Sequence, residues 1–353
     1  MGPREQTSRS FLSQRLVVVV KKNERFFGGC SSKVECPVVN GSVAGAVPVS
    51  HPYKRNWSKP MKSNTLKIAV QKSGRLSDGS LEFLRKSGLD FESYTKRLLC
   101  RCRNFPLAIL YVRDDDIAGY VASGVADIGI LGQNLLYELR PAVKKLLNLR
   151  FGPCALSIAV PNTSPIREIS QLKDTTIATS YPISTRAFLD KNGISATIIT
   201  LSGSVEIAPT LGIADAVCDL ISTGSTLTVN DLRQIQTVYT SEAVLIANPK
   251  ALKSADKTPL LSRLLMRFES VLSAKNYKYI SMTAPNIYIR KINRLLSGIP
   301  SSTTITPISG EIASMQTVIT EDRLWETVEK IQSLGVSKII VTPVENIISK
   351  GGI

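Results

Sequence analysis

The sequence predicts an α/β protein of two lobes, each built on a parallel sheet, followed by a small β-α-β-β-α-β module. Three observations carry that expectation. From Leu66 onward, apolar β-type runs alternate with helical stretches, the rhythm that builds parallel sheets. Runs such as Ile128-Gly129-Ile130-Leu131 are almost continuously apolar, as strands covered on both faces are. After Asn248-Pro249 the order changes to strand, helix, strand, strand, helix, strand.

The first strand is expected at 66–71, with a helix at 77–87. Strands at 107–112 and 127–132 bracket a helix at 114–123. The run 154–161 ends at Pro161-Asn162, where the chain is expected to cross between lobes. Strands at 175–180, 196–201 and 215–221 follow, with helices at 166–172, 182–192 and 204–211. A run at 238–247 returns the chain to the first lobe. These limits assign 61–160, with a return segment at 241–256, to lobe I, and 161–240 to lobe II. After a helix at 258–274, the last module occupies 276–353, with strands at 278–283, 303–308, 313–319 and 338–343 and helices at 286–296 and 322–334. Two hinged α/β lobes leave a ligand cleft at the C-terminal ends of their strands.

Composition narrows the function. At 353 residues and 43% hydrophobic, the chain can bury several cores. Its formal charge of +16 is uneven: residues 1–64 hold 11 Lys/Arg against 3 Asp/Glu, and the rest of the chain 33 against 25. The body is therefore only mildly basic, which suits anionic small molecules. No Lys/Arg-rich helix with interleaved aromatics is present, which disfavours nucleic acid, and no apolar run approaches the ~20 residues of a membrane helix. The six cysteines (Cys30, Cys36, Cys100, Cys102, Cys154, Cys218) show no C-x-x-C pair, and a reducing, intracellular compartment is the simpler expectation. The one histidine, His51, lies in the N-terminal segment, so a Ser-His-Asp triad, a histidine base and a histidine-ligated metal are excluded from the body.

Residues 1–60 lack periodicity and are rich in Ser, Gly, Pro, Lys and Arg. Leu16-Val17-Val18-Val19-Val20 is too short for a secretory signal. A cleaved organelle transit peptide is one reading, and an upstream extension with Met61 as the start is the preferred one. The first would place the protein in an organelle stroma, the second in the cytoplasm.

Candidate chemistry sits at the ends of strands. In Asp215-Ala216-Val217-Cys218-Asp219-Leu220-Ile221-Ser222-Thr223-Gly224-Ser225-Thr226-Leu227, a buried strand runs into a turn rich in hydroxyls and glycine, and a helix opens after it. Such a turn aims backbone N–H groups, hydroxyls and a helix N-terminus at one point, which suits a phosphate monoester. Asp215 and Asp219 upstream would suit the paired hydroxyls of an attached ribose. An ordinary turn with Ser222 or Thr223 as N-cap fits equally well. At the end of the first strand, Lys72 and Arg75 flank Gly74 where a helix opens, an anion site suited to pyrophosphate or triphosphate. Asp114, Asp115 and Asp116 after Arg113 are explained by helix capping, although three acids exceed what a cap requires. Ser204 with Glu206 and Ser180 with Tyr181 repeat the strand-end pattern, and a glutamate in that position could hydrogen-bond a sugar hydroxyl.

Together these segments resemble the ATP phosphoribosyltransferases that open histidine biosynthesis, in their long, self-regulated form. The resemblance rests on Ile68-Ala69-Val70-Gln71-Lys72-Ser73-Gly74-Arg75-Leu76, Val112-Arg113-Asp114-Asp115-Asp116-Ile117, Gly124-Val125-Ala126-Asp127-Ile128-Gly129-Ile130-Leu131-Gly132, Ala178-Thr179-Ser180-Tyr181-Pro182, Gly203-Ser204-Val205-Glu206, the 215–227 run and Leu324-Trp325-Glu326-Thr327-Val328-Glu329-Lys330. It covers about 66–348 and omits 1–60. It implies a two-lobed catalytic body of the type II periplasmic-binding-protein-like fold and a C-terminal ferredoxin-like regulatory domain. The implied reaction displaces pyrophosphate from C1 of phosphoribosyl pyrophosphate by N1 of ATP. By the same resemblance, Ser222, Thr223, Gly224, Ser225 and Thr226 hold the 5-phosphate, and Asp215 and Asp219 the ribose hydroxyls, with Glu206 in support. Lys72 and Arg75 would face pyrophosphate, while Arg113, Asp114, Asp115, Asp116 and Tyr181 lie near the nucleotide. Mg²⁺ is implied as carried with the phosphates, with no fixed protein cage. L-histidine is implied as an inhibitor, in a pocket expected around Ser281, Met282, Thr283, Ala284, Gly335 and Ser337, in a homo-oligomer moving between dimer and hexamer. A non-enzymatic two-lobed binding protein remains the competing class, weakened by the missing secretory signal.

Overall fold

The computed structural model describes residues 64–92, 98–222, 225–296, 303–336 and 338–348. Lobe I contains β1 (Leu66–Gln71), β2 (Leu99–Arg101), β3 (Leu107–Val112), β4 (Ile128–Gly132) and β5 (Lys144–Asn148), with α1 (Ser77–Lys86), α2 (Asp114–Ala122) and α3 (Gln133–Leu139). Lobe II contains β6 (Cys154–Pro161), β7 (Thr176–Thr179), β8 (Thr197–Thr200), β9 (Ala216–Ile221) and β10 (Leu232–Ser241), with α4 (Pro182–Lys191) and α5 (Ser225–Val229). The chain then returns through β11 (Ala243–Ala247) and leaves along α6 (Thr258–Ala274). The last module holds β12 (Tyr277–Pro285), α7 (Ile289–Leu296), β13 (Thr304–Pro307), β14 (Ile312–Thr320), α8 (Glu321–Gln332) and β15 (Lys338–Pro343).

The two lobes share one plan. The first sheet has the order β2-β3-β1-β4-β11-β5, and the second β10-β6-β9-β7-β8. In each, the parallel core (β3-β1-β4, β8-β7-β9) is followed by an antiparallel strand arriving from the other lobe, β11 or β6. This is the periplasmic-binding-protein-like body. The third sheet, β13-β14-β12-β15, is wholly antiparallel with two helices, a ferredoxin-like module.

Burial follows the sequence. Strand β4 is buried along its whole length, with α2 pressing Ile117 and Val121 on one face. On the other face α6 contributes Leu261, Leu264 and Phe268 to the core of lobe I, and the Phe268 ring lies 5.0 Å from that of Phe83. At the N-terminal end of β4, Asp127 is only 3% exposed. Its carboxylate accepts the Lys67 amide at 2.9 Å and the Lys257 ammonium at 2.7 Å, joining β1, β4 and the approach to α6. Cys154 and Cys218 are buried free thiols, small apolar fillers as their sequence context implies.

The lobe boundary differs from the sequence expectation. Strand β6 pairs with β9 and β10, so 154–161 belongs to lobe II and the chain crosses earlier, at 149–153. The run 238–247 is two strands in different sheets, parted at Glu242. Both crossings lie together: the Leu149 amide donates to the Ala243 carbonyl at 2.9 Å, and the Ala243 amide to Phe151 at 3.0 Å. Gly152 bends the outgoing crossing at φ +58, a left-handed conformation open to glycine without penalty. The helices expected at 166–172 and 204–211 shrink to 3₁₀ turns at Ile169–Leu172 and Val205–Ile207. Left-handed Ser204 delays the start of the second, and Pro209 follows its end.

Candidate active site

The strand ends of both lobes supply the site. In lobe I the turn after β1 is built by Gln71, which is buried and whose side-chain oxygen accepts the Leu76 amide at 2.9 Å. Gly74 closes the turn at φ +115, and a Cβ there would stand 2.5 Å from the Gln71 amide nitrogen. Lys72 stands exposed on this turn. Arg75 is turned toward the hinge, its guanidinium donating to the Gly152 carbonyl beside Gly132. At the end of β3, Arg113 is the N-cap of α2 without a side-chain cap bond, and Asp114, Asp115 and Asp116 form its first turn. Desolvation of the Asp115 carboxyl, then the charges of Asp114 and Asp116, raise its pKa, and Arg113 opposes them.

Lobe II presents three strand ends. After β7, Thr179 donates its hydroxyl to the Cys218 carbonyl at 2.6 Å and accepts the Tyr181 amide at 2.9 Å, while Ser180 donates to Leu201 at 2.7 Å. These bonds fix Tyr181 as the N-cap of α4. Burial raises the Tyr181 phenol, followed by the charges of Asp219, Tyr239, Asp114 and Asp115. Tyr181 therefore feels carboxylates of both lobes. After β8, Gly203 and left-handed Ser204 lead into the 3₁₀ turn that carries Glu206. Near the end of β9, Asp219 is pushed up to about 6, first by burial and then by Glu206, while the Leu220 amide opposes the shift. Asp219 and Tyr181 of lobe II, like Asp114 and Asp115 of lobe I, thus stand at strand ends, and the Tyr181 phenol responds to the charges of all three acids.

Several expected site residues stand elsewhere or beyond description. Asp215 lies at the opposite end of β9, where its carboxylate accepts the Thr176 amide at 2.8 Å. A strand advances about 3.3 Å per residue, so Asp215 is roughly 20 Å from the turn at Ser222 and cannot share a ribose with it. Ser222 is exposed after β9. Thr223 and Gly224 fall outside the described residues, as do the side chains of Ser225 and Thr226, which open α5. In the last module Met282 and Ala284 are 2% and 1% exposed and pack under the helices, so neither side chain can line an open pocket. Ser281 and Thr283 alternate to the other face of β12. Thr283 pairs with Lys338, and Gly335 lies in the turn that follows α8. Ser337 lies outside the described residues.

Sequence reasoning missed Glu138. This α3 residue is 7% exposed, and its two carboxylate oxygens accept the amides of Ile183 and Ser184 at 2.8 and 2.9 Å. It spans from lobe I to the first turn of α4. Beside it Tyr137 packs edge-on against Tyr239 of β10 at 4.7 Å, and the Tyr239 hydroxyl donates to Ser184 at 3.3 Å. The one signal in the sequence was an acid among apolar residues, Leu135-Leu136-Tyr137-Glu138-Leu139. A cavity of about 470 Å³ adjoins these contacts and runs along α4 to Lys191 and Asn192, away from the strand ends that carry the chemistry.

Among the described residues, no group of three or more His, Cys, Asp or Glu is placed to hold a metal. No described helix is long and apolar enough to cross a membrane.

A two-lobed α/β body with carboxylates, hydroxyls and a lysine at its strand ends, followed by a ferredoxin-like module, defines a two-lobed protein for polar small ligands with an added C-terminal module. The family model described as "HisG: ATP phosphoribosyltransferase" matches residues 113–270, and "HisG, C-terminal domain" matches 274–346. A relative from Cytophaga hutchinsonii named ATP phosphoribosyltransferase is 41% identical over 286 residues, 81% of this chain and 99% of the relative. Another from Parabacteroides distasonis, of the same name, is 42% identical over 284 residues, 80% and 99% of the two chains. The solved ATP phosphoribosyl transferase (HisG:HisZ) complex from Thermotoga maritima is similar at a TM-score of 0.50 and 28% identity, covering 58% of this chain and 99% of that one. The chain belongs to the ATP phosphoribosyltransferase family, transferases of histidine biosynthesis.

Proposed function

We propose that the cleft transfers the 5-phosphoribosyl group from phosphoribosyl pyrophosphate to N1 of ATP. The C1–oxygen bond to pyrophosphate breaks, pyrophosphate leaves with the electron pair, and a C1–N1 bond forms. The observation that carries this reading is the set of polar strand ends in the two lobes: Lys72 after β1 and Asp114–Asp116 after β3 in lobe I, Tyr181 after β7 and Asp219 near the end of β9 in lobe II. Adenine N1 is already nucleophilic, so no base has to remove a proton before attack. Catalysis then rests on holding N1 against C1 and on stabilising positive charge at the ribose. Asp219 accepts from the ribose hydroxyls, with Glu206 supporting it. Ser222, Thr223, Gly224, Ser225 and Thr226 hold the 5-phosphate.

Lys72 faces the leaving pyrophosphate. Arg75, tied to the hinge carbonyl of Gly152, holds its charge behind that turn. Arg113, Asp114, Asp115, Asp116 and Tyr181 border the nucleotide. The hard carboxylate oxygens of 114–116 suit Mg²⁺ that arrives with the phosphates, an ion commonly held by one or two carboxylates plus substrate oxygens. Mg²⁺ when bound would neutralise pyrophosphate charge. The last module is read as regulatory: Ser281, Thr283, Gly335 and Ser337 border a pocket through which L-histidine inhibits, in a homo-oligomer of dimers and hexamers. A cytoplasmic location fits a reaction on ATP.

Substitution of the two phosphate-facing turns tests the reading. Lys72→Ala and Thr223→Ala should each lower turnover by roughly 10²-fold, the scale of losing one preorganised electrostatic contact, with the circular dichroism spectrum unchanged. Parental turnover in both variants would remove the proposed phosphate sites.

A further inference from the structure

We propose that Glu138 is a positioning residue that bolts lobe I to the nucleotide-facing turn of lobe II and so sets the closure of the cleft. The inference rests on the transferase reading above. Helix α4 begins with Pro182, which has no amide hydrogen, so Ile183 and Ser184 are its first backbone donors. Its own N-cap, Tyr181, makes no side-chain cap bond. The cap comes instead from the other lobe, as both oxygens of Glu138 accept these two amides. A carboxylate there also meets the positive end of the helix dipole.

Position makes this cap matter to the reaction. Tyr181 directly precedes Pro182, and its phenol senses Asp219 of its own lobe and Asp114 and Asp115 of lobe I. Any opening of the hinge must break the Glu138 contact or drag the turn with it. The neighbouring contacts support one arrangement: Tyr137 packs on Tyr239, and Tyr239 bonds Ser184 on the same turn. The chain crosses between lobes close by, where Gln133, the first residue of α3, donates its amide to the Glu242 carbonyl at 2.9 Å. Helix α3 is therefore tied to the hinge at its first residue and to α4 near its last. Closed lobes are the binding-competent state, and a substrate's apparent affinity falls in proportion to the fraction of molecules in that state.

The test is steady-state kinetics and small-angle scattering on the full chain carrying Glu138→Gln, with thermal melting alongside. The glutamine amide opposes one helix N–H while its oxygen still accepts the other. We expect KM for ATP and for phosphoribosyl pyrophosphate to rise by roughly tenfold with kcat within about twofold, as substrate recloses the cleft at saturation. The ligand-free variant should also show a larger radius of gyration than the parent. A cap with a purely structural role would lower the melting temperature and leave KM and the radius unchanged, and that result would overturn the proposal. Tyr239→Phe, which removes one hydroxyl and keeps the ring, should move KM in the same direction by a smaller factor. It decides the matter if the Glu138 variant does not fold, and a parental KM there would also count against the bolt. A parent enzyme without pyrophosphate release would instead refute the transferase reading itself.

Discussion

Asp219 and Asp215 stand four residues apart in the sequence and have unrelated surroundings. Asp219 lies half-buried near the end of β9, its carboxyl raised to about 6 by desolvation, while Asp215 holds the Thr176 amide at the far end of that strand. The Asp219 shift has two consequences of opposite sign. A carboxyl raised in the fold binds its proton more tightly there than in the unfolded chain, so its stabilising contribution is present at low pH and is lost as pH rises through about 6. Binding of ribose hydroxyls needs the ionised form, so kcat/KM for phosphoribosyl pyrophosphate should fall as pH drops through about 6. Asp219→Asn should lower kcat/KM and abolish that limb, whereas Asp215→Asn should leave the limb in place. A limb that persists in Asp219→Asn would assign it to another group. The sequence identified both acids as candidates but not the distance between them. Strand direction and rise separate them, and neither is visible in residue type.

At the scale of elements, the strands that enter parallel sheets were readable because burial on both faces writes an unbroken apolar run. Strands β1 and β3 stand where that pattern puts them. What escaped was written more weakly. Helix α3 follows β4 with no intervening loop, and β5 shows mixed exposure with two lysines at its start, so neither carries a clear period. Strands β10 and β11 read as one run because the sheet change at Glu242 takes no turn residue. Glu138 was hidden for a related reason: its partners lie 45 and 46 residues downstream, in the other lobe. Packing between elements can be tested at Gly129, where an added Cβ would stand 2.8 Å from Ile117 Cγ2 and 2.9 Å from Val121 Cγ2. Both neighbours are fully buried, so neither can swing away. Gly129→Ala should cost about 1–3 kcal/mol, the range for overfilling a packed core, with an unchanged denaturant slope. Parental stability would mean that α2 sits further from β4 than described.

For the whole molecule, the sequence conveyed three sheets and their order of appearance, and the chain returns through the hinge before the last module begins. The hinge residue Phe151, Leu272 of α6 and Val344 after β15 line a common cavity of about 480 Å³, so the last module and the lobe crossing share a boundary. Regulation from the module needs contact of this kind. The family membership supports one reaction, in which this chain joins ATP to phosphoribosyl pyrophosphate, and control by the C-terminal module is the further part of our proposal. Pyrophosphate release by the purified chain with ATP, phosphoribosyl pyrophosphate and Mg²⁺, with and without L-histidine, tests it most directly. Release that depends on both substrates and is suppressed by L-histidine is the expected result. Ligand binding without release would contradict the account.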